Sequence, residues 1–434
     1  MAFNNKFKKT NSPSHFNFCF TLFIISFFTI PTFFLLNNFT TNSKGANLTK
    51  NFSGNLLSAE FAWNSLSFLQ HNPAPIVLKI AVFSRKWPSG TVPGGMERHA
   101  HTLHTALARR GHQVHIFTSP SEDEKTTATT SISSKGSPSS PYIHYHEGEP
   151  ESLQSSLFQD LARLPDEPRS QDFEKGLQGV VPKVLNEIRF FHKYSHHVAI
   201  SDSCGEMLRD VYQIPSRRVH VILNGVDEDD FREDVELGKK FRTEIGIPSN
   251  ASLVFGVAGR LVKDKGHPLL HEAFSRLITK HTNVYLIVAG SGPWENRYKD
   301  LGNQVLVLGS MNPSKLRAFY NAIDIFVNPT LRPQGLDLTL MEAMMIGKPL
   351  LVSRFPSIKG SIVVDDEFGY MFSPNVESLL EALKEVVKDG KERLEKRGNA
   401  CREYANSMFT ARKMALAYER LFLCIKRDTF CTYP

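Results

Sequence analysis

The stretch "SLVFGVAGRLVKDKG" occupies Ser252 to Gly266 and joins a short apolar run to a loop that holds a glycine and several cations. The run predicts a buried strand. The same arrangement recurs along the second half of the chain, in "VYLIVAGSG", "QVLVLGS", "IDIFVNPT" and "KPLLVS". Helical patterns separate these runs, at His271 to Lys280, Pro313 to Ile323 and Leu336 to Ile346. This alternation predicts a doubly wound α/β domain with a parallel sheet.

Ligands of such sheets bind beyond the carboxyl ends of the strands, where loops enter helices. Gly259-Arg260, Gly290 to Gly292 and Thr330 to Gly335 all occupy such positions. Arg260 and Lys265 place two cations there, which suits a diphosphate. The alternative is an ordinary solvated loop that contains Lys and Arg.

The segment "RPQGLDLTLMEAMMIGKP", Arg332 to Pro349, is predicted to form a turn followed by a helix. Gly335 allows close backbone approach, and a helix start favours an anion by roughly 0.5–2 kcal/mol. Glu342 lies further along this helix and could accept two hydrogen bonds from the vicinal hydroxyls of a ribose. The alternative is that Glu342 is a solvated residue on the helix face.

The first half begins with the apolar run "IVLKIAVFS", Ile76 to Ser84, followed by a Pro/Gly loop, a helical pattern and the run "QVHIFTS". This order predicts a βαβ unit with a parallel sheet. The spacing places Met96, Ala100, Leu103 and Leu107 on one helix face, and Gly111 ends the helix. Gly94 and Gly95 could bring backbone N–H groups close to a phosphate or sugar, or they could simply form a turn.

The N-terminal segment "FNFCFTLFIISFFTIPTFFLL", residues 16–36, has no charged residue. As a helix it would be about 31 Å long, which matches the core of a bilayer. Three lysines precede the segment and only two follow closely, so the positive-inside rule places the N-terminus in the cytosol. A buried core helix is the alternative.

The residues that follow are polar and carry the glycosylation sequons of Asn38, Asn47 and Asn51, with a fourth sequon at Asn250. They predict a lumenal stem, and the chain is expected to be a single-pass type II membrane glycoprotein of the Golgi. Cys424 and Cys431 could form a disulfide in that oxidising compartment, or the thiols could be unpaired and buried. The cysteine spacing fits no zinc site.

Composition and motifs exclude several other classes. The chain has 434 residues, too many for one ordinary core, and its net charge of +7 comes from cations interspersed with acids rather than from a nucleic-acid-binding patch. It lacks the glycine patterns of NAD enzymes and P-loop NTPases and the G-x-S-x-G elbow of hydrolases. None of its histidines has the spacing of a metal site, so no metal cofactor is expected.

Taken together, the motifs resemble a known family. The order P-G-G-M-E-R, N-G-V-D, G-R-x-x-x-x-K-G, A-G-x-G-P and Q-G-L-D-x-T-L-M-E-A-M-x-x-G-K-P is similar to the retaining, nucleotide-sugar-dependent glycosyltransferases of family 4. The resemblance spans roughly Lys79 to Leu421 and extends to a plant-type, membrane-anchored branch. It implies the GT-B fold, in which two Rossmann-like domains face each other across a cleft.

The resemblance also implies roles for individual residues. Arg260 and Lys265 match the catalytic pair that holds the donor diphosphate, and Glu342 matches the acid that binds the ribose. Gln334 stands where the family has a first Glu near the donor sugar. The remaining donor-binding positions are Gly94, Gly95, Gly290, Gly335 and Leu336.

The implied organisation has six segments: a cytosolic tail (1–15), a transmembrane anchor (16–36), a stem (37–75), an N-terminal acceptor domain (76–222), a C-terminal nucleotide-sugar domain (223–407) and a C-terminal helix that crosses back (408–434). The N-terminal domain shows about five candidate strands where a complete one has six or more, as if a block near Glu149 were absent. The family's active-site histidine has no clear counterpart, since His144 and His146 are expected on the third strand.

The function implied is transfer of a sugar from a nucleoside diphosphate sugar to an acceptor hydroxyl, with retention. The acceptor could be a glycan, a lipid or a small molecule. One alternative is a nucleotide-sugar-binding pseudoenzyme that has lost part of its first domain. Another is an epimerase of the same fold.

Overall fold

The computed structural model describes residues 76–84, 87, 94–118, 139–145, 191, 193–331, 336–359 and 361–426. Several predicted features lie outside these residues: the anchor at 16–36, the sequons of Asn38, Asn47 and Asn51, the loop residues Gln334 and Gly335, and also His146 and Cys431. Among the helices that the structure does describe, none is both long and apolar enough to cross a bilayer.

The first half begins with a three-stranded parallel sheet of order β1-β2-β3. Its elements are β1 (Lys79–Phe83), α1 (Gly95–Arg109), β2 (Gln113–Thr118) and β3 (Tyr142–Tyr145). Ile80 in β1 is in register with Val114 in β2. The predicted βαβ unit is therefore confirmed.

Helix α1 buries Leu103 and Leu107, two of the residues predicted on its inner face. The prediction for Met96 is wrong, because its side chain is 84% exposed. Met96 lies in the first turn, and helical side chains lean toward the N-terminus, so it extends past the elements that cover the rest of that face. Gly111, with a φ of 93°, ends the helix as predicted, and its N–H donates to the carbonyl of Ala108.

A second, separate pair of parallel strands follows in the first half. Its elements are β4 (His197–Ala199), α2 (Asp202–Glu206), a π-helical turn (Met207–Val211), a 3-10 turn (Ser216–Arg218) and β5 (Val219–Val221). Ile222 and Val198 from this region pack into the same apolar cluster as Leu107 and Ile116. The pair thus contributes to the core of the first half.

The second half forms one six-stranded parallel sheet of order β11-β10-β9-β6-β7-β8. Its strands are β6 (Leu253–Ala258), β7 (Val284–Ala289), β8 (Val305–Gly309), β9 (Ile325–Asn328), β10 (Leu350–Ser353) and β11 (Gly369–Phe372). The first five occur where apolar runs predict them. The sequence pattern misses β11, because its apolar run of three residues after Gly369 is shorter than the runs that predict a buried strand.

Helices cover both faces of this sheet. They are α3 (Val235–Glu244), α4 (His267–Ile278), α5 (Glu295–Lys299), α6 (Pro313–Ala322), α7 (Leu338–Met345), α8 (Pro356–Lys359) and α9 (Val376–Met408). Helix α9 is interrupted at Gly390, whose backbone is not helical. Leu383 before the break packs in one apolar cluster and Cys401 after it packs in the other. The doubly wound arrangement is therefore confirmed.

The last described helix, α10 (Ala411–Lys426), packs against α1 of the first half. Met414 and Leu421 of α10 share an apolar cluster with Leu103 and Leu107 of α1. Near its end, Cys424 is disulfide-bonded. Cys204 and Cys401 are free thiols. Cys431, the partner that the sequence suggests for Cys424, lies outside the described residues.

Buried Glu419 anchors α10 to the first half. Its carboxylate accepts hydrogen bonds from Arg110 Nη2 and from His112 Nε2, each at 3.0 Å. The backbone N–H of Leu78 donates to His112 Nδ1 at 3.2 Å, which places the ring proton on Nε2. Burial would raise the pKa of Glu419, but His112 and Arg110 outweigh burial and lower it. The helix is thus fixed by a buried, fully partnered charge.

Candidate active site

The loops that follow β6, β7 and β9 lie side by side, because these three strands are neighbours in the order β9-β6-β7. The N–H of Leu261 donates to the carbonyl of Ser291 at 2.9 Å, which joins the first two loops. The N–H of Leu331 donates to the carbonyl of Asp264 at 3.0 Å, which joins the first and third. The segments that the sequence places at one edge of the sheet therefore meet there.

Two glycines allow this close contact. Gly266 and Gly290 both have a positive φ, 79° and 141°. A Cβ at Gly266 would overlap the carbonyl oxygen of Pro329, and one at Gly290 would overlap that of Gly259. Only glycine fits at either position. Close packing of the loops therefore explains why position 290 is a glycine, independently of any contact with a ligand.

Arg260 follows Gly259 at the end of β6 and is exposed at this edge. Its carbonyl accepts a hydrogen bond from Nε2 of buried His267 at 3.1 Å. Burial lowers the pKa of His267 to about 4, so the ring is neutral at pH 7. Its second nitrogen, Nδ1, then accepts from the hydroxyl of Tyr298 at 2.9 Å. A neutral histidine thus fixes the backbone from which Arg260 extends.

Lys265 lies in the same loop and points to the start of α7. Its Nζ is 3.1 Å from Oδ2 of Asp337. Burial would raise the pKa of Asp337, but the Lys265 ammonium and the donors of Thr339 outweigh burial and lower it. The ammonium is thereby held at a helix N-terminus.

Helix α7 begins at Leu338, later than the predicted start at Gly335 and Leu336. Asp337 is its N-cap and accepts a hydrogen bond from the N–H of Thr339. An Asp side chain stabilises a helix start strongly, which explains why the helix begins after it. Leu336 is 5% exposed, and its carbonyl accepts from Nδ2 of Asn224 at 3.2 Å. Leu336 is therefore part of the buried support of this loop.

Glu342 is 1% exposed, so its interpretation as a solvated helix residue is wrong. The hydroxyl of Tyr320, which is fully buried in α6, donates to Oε2 of Glu342 at 2.8 Å. The other oxygen, Oε1, contacts the guanidinium of Arg98 from α1. The one carboxylate of this largely apolar helix thus has two specific partners, one from each half of the chain.

Arg98 is a residue of this site that sequence reasoning misses. Burial lowers its pKa, and the nearby Tyr320 and Asp337 act in the opposite direction. Lys265, Asp337, Arg98 and Glu342 therefore form one cluster of two cations and two carboxylates. The N-cap role of Asp337 could be found from the sequence, since an Asp followed by an apolar helical run is a start signal. Nothing in the sequence pairs Arg98 with Glu342.

Gly94 and Gly95 begin α1 one turn before Arg98. Gly94 is the N-cap in an extended conformation, and its carbonyl accepts from the N–H of Arg98 at 3.0 Å. No side chain caps this helix. The glycine pair therefore lies at the helix end that carries Arg98 to the second half.

A cavity of about 190 Å³ separates the two halves next to this cluster. Its walls include Arg98, His101 and Thr102 from α1, and Leu338 and Glu342 from α7. Asp227 and Asp230 also line it, from the loop between β5 and α3, here called the connecting loop. Burial raises the pKa of Asp230 and lowers that of His101. The cavity offers a polar recess with Glu342 in its wall.

The structure thus brings Lys265, Leu336 and Glu342 together around α7, with Arg260 and Gly290 on the adjoining loops. Gly94 and Gly95 approach from the first half. Gln334 and Gly335 lie outside the described residues. No group of three or more His, Cys, Asp or Glu side chains within the described part of the chain is arranged to hold a metal ion.

Two protein-family models match this chain. Glycosyl transferases group 1 matches residues 239–407, and Glycosyltransferase Family 4 matches residues 93–164. Together they span more than half of the sequence. The chain is a glycosyltransferase of the group 1 / family 4 type. The two matches cover the loop cluster with α7 and the helix that carries Arg98.

Known relatives agree with this assignment. The glycosyltransferase is 24% identical over 360 residues to an uncharacterized glycosyltransferase of Methanocaldococcus jannaschii, which covers 72% of this chain and 90% of that protein. Two bacterial relatives, from Salmonella typhimurium and Escherichia coli, are matched over 46% and 58% of their own lengths. These relatives are glycosyltransferases, which supports the predicted activity, the transfer of a sugar from a nucleotide-sugar donor.

Solved structures show the same fold. Sucrose-phosphate synthase from Thermosynechococcus elongatus superposes with a TM-score of 0.64 at 17% identity, over 81% of this chain and 100% of that one. Anabaena HepE in complex with UDP-glucose superposes with a TM-score of 0.60 at 16% identity, over 80% and 100%. The glycosyltransferase therefore has the predicted α/β GT-B fold.

Proposed function

We propose that the glycosyltransferase binds a nucleoside diphosphate sugar at the edge formed by β6, β7 and β9, and transfers the sugar with retention to an acceptor hydroxyl. The observation that carries this proposal is the charge cluster around the start of α7. Lys265 and the helix N-terminus lie at one end of α7, and the Glu342 carboxylate lies one turn further on. That spacing suits a diphosphate followed by its ribose.

Each residue of the site is assigned to the part of the donor that its chemistry suits. Arg260, Lys265 and the N-terminus of α7 stabilise the charge of the leaving diphosphate, as preorganised donors do in other enzymes. Glu342 accepts hydrogen bonds from the ribose. Gln334 is assigned to the sugar hydroxyls, and Gly335 to the backbone that approaches the diphosphate. Gly94 and Gly95 contribute backbone groups from the first half. Because the protein supplies these charges, the proposal requires no metal.

The proposed class of donor is supported by a solved structure with the same fold. HepE, with the same fold, has been crystallised with UDP-glucose. The test is isothermal titration with UDP sugars and GDP sugars, followed by an assay of sugar transfer to candidate acceptors. Binding together with turnover supports the proposal, whereas failure of every nucleotide sugar to bind would contradict it.

We further propose that the enzyme is a single-pass type II protein of the Golgi, with the segment order predicted from the sequence and a lumenal catalytic part. Two features of the sequence support this proposal: residues 16–36 carry no charge, and three glycosylation sequons follow at Asn38, Asn47 and Asn51. Enzymatic removal of N-glycans from the expressed full-length protein tests this. The expected result is a mobility shift that is lost when Asn38, Asn47 and Asn51 are replaced together with Asn250.

A second candidate function, a nucleotide-sugar-binding pseudoenzyme, is favoured by one observation. In the described part of the first half, the strands form two separate sheets of three and two strands. His144 lies in β3 and contacts His115 of the neighbouring strand, with Nε2 of His144 and Nδ1 of His115 3.0 Å apart. Binding without turnover in the assay above would favour this candidate.

A further inference from the structure

The Glu342 carboxylate already has donors on both of its oxygens in this structure. Tyr320 donates to one and Arg98 to the other. Tyr320 is fully buried and packs in the core of the second half with Phe319 and Phe326, so it stays in place. Arg98 comes from the first half and borders the cavity beside Glu342. Arg98 is therefore the partner that can be exchanged.

A ribose would bring two further hydroxyl donors to the same carboxylate. One of the positions that they need is taken by the guanidinium of Arg98. A guanidinium that leaves a buried carboxylate requires another anion, because an unpaired buried charge is costly. The diphosphate of the donor is such an anion. Asp337 links the two ends of the site, since it pairs with Lys265 and its charge also acts on Arg98.

We propose that Arg98 is an exchange residue of the donor site: the ribose hydroxyls displace it from Glu342, and its guanidinium then pairs with the donor diphosphate. This inference rests on the proposed donor site and adds to it a residue from the other half of the chain. It makes the nucleoside and phosphate parts of the ligand cooperative. A nucleoside must displace Arg98 without offering a new partner, whereas a nucleoside diphosphate offers one.

The test is a comparison of wild type and Arg98→Gln with uridine and UDP, and in parallel with guanosine and GDP, by NMR-detected titration. The variant should bind the nucleoside several-fold more tightly, because the competitor for Glu342 is gone. It should bind the nucleoside diphosphate about tenfold more weakly, because a charge-assisted hydrogen bond to phosphate is lost. The two changes have opposite signs, which a purely structural role does not produce.

Arg109→Gln is the matched control. Arg109 lies on the same helix and also bridges to the connecting loop, with Nη1 3.0 Å from Oδ2 of Asp227, but it does not contact Glu342. This variant should change neither dissociation constant more than about twofold, as expected for an exposed ion pair. Its effect measures what loosening α1 does by itself.

Parallel weakening or parallel tightening of both ligands in Arg98→Gln would overturn the inference, and so would no change in either. If Arg98→Gln does not fold, the comparison is made between Glu342→Gln and the double variant Arg98→Gln/Glu342→Gln, in which no carboxylate is left unpaired. The double variant should still lose about tenfold in diphosphate affinity relative to Glu342→Gln, and equal affinities would contradict the inference. Failure of the donor site itself gives a different result, namely no binding of either diphosphate by wild type.

Discussion

Nζ of Lys265 lies 3.1 Å from Oδ2 of Asp337, the residue that caps α7, so a loop cation is fixed at a helix start. Both features attract anions. The carboxylate of Asp337 keeps the ammonium in place before a ligand arrives. The Lys265 ammonium is therefore already positioned for a phosphate group.

Replacing Lys265 by Ala should weaken the binding of a nucleoside diphosphate about tenfold or more, because a charged hydrogen bond to phosphate is lost. Lys263→Ala is the matched control, since Lys263 lies in the same 3-10 turn and is exposed. It should bind the ligand like wild type. Isothermal titration measures both, and equal losses in the two variants would mean that only general charge attraction is at work.

The carbonyl of Arg260 is held by neutral His267, so this histidine should control the geometry of the arginine. His267→Ala should lower kcat/KM, and His267→Gln should restore part of the loss, because the Gln amide can donate to the same carbonyl. Steady-state kinetics at saturating and limiting donor test this. Equal activity of the Ala variant and wild type would show that the contact has no functional weight.

His267 also predicts a pH dependence of stability. Its pKa of about 4 in the folded protein lies below the value near 6.5 expected in the unfolded chain. Its contribution is therefore complete above pH 6.5 and is lost as the pH falls toward 4, because the unfolded chain binds the proton first. The difference in free energy of unfolding between wild type and His267→Gln should shrink over that window in denaturant titrations. A constant difference would contradict the assigned pKa.

Gly290→Ala should disrupt the loop cluster, because its Cβ would overlap the carbonyl of Gly259. Gly302→Ala is the control: Gly302 also has a positive φ, 88°, but a Cβ there meets no atom within 4 Å. The control should lose about 1–2 kcal/mol from backbone strain alone. Thermal unfolding should show a larger loss for Gly290→Ala, together with weaker nucleotide binding. Similar losses of stability in the two variants would indicate that position 290 requires glycine for its positive φ and not for its contact with Gly259.

Glu419→Gln should destabilise the docking of α10. Removing one partner of a buried pair costs about 3–5 kcal/mol, and the partners here are Arg110 and His112. Because the pKa of Glu419 is lowered in the folded state, its stabilisation is present above its unfolded pKa near 4.5 and is lost as the pH falls below that value.

Denaturant unfolding at pH 7 and below pH 4.5 should therefore show the difference between wild type and Glu419→Gln decreasing with acidity. Glu403→Gln, at an exposed position of α9, should match wild type at both pH values. A difference for Glu419→Gln that is independent of pH would indicate lost packing rather than lost charge.

Most of the second half could be predicted from its sequence, because five of its strands are largely apolar runs, and all of these except the edge strand β8 are almost entirely buried. β11 could not, since its pairing depends on β10 and not on its own pattern. For Met96, by contrast, the sequence pattern predicts burial that the structure does not show. Its spacing fits a buried face, but a first-turn residue has no cover.

The candidate site divides in the same way. Its position is predictable, because the ends of neighbouring parallel strands must lie at one edge. The burial of Glu342 and its pairing with Arg98 are not, because they depend on how the two halves pack, and those residues are far apart in the sequence. A local pattern carries no information about such a contact.

The proposed donor site is tested most directly by the turnover of a nucleotide-sugar donor by Arg260→Ala, compared with wild type. Arg260 lies in the same loop as Lys265, at the edge of the sheet where the leaving diphosphate is proposed to bind. We expect a fall in kcat of about 10²–10³, the usual effect of removing one preorganised stabilising group. Turnover by the variant at the wild-type rate would contradict it.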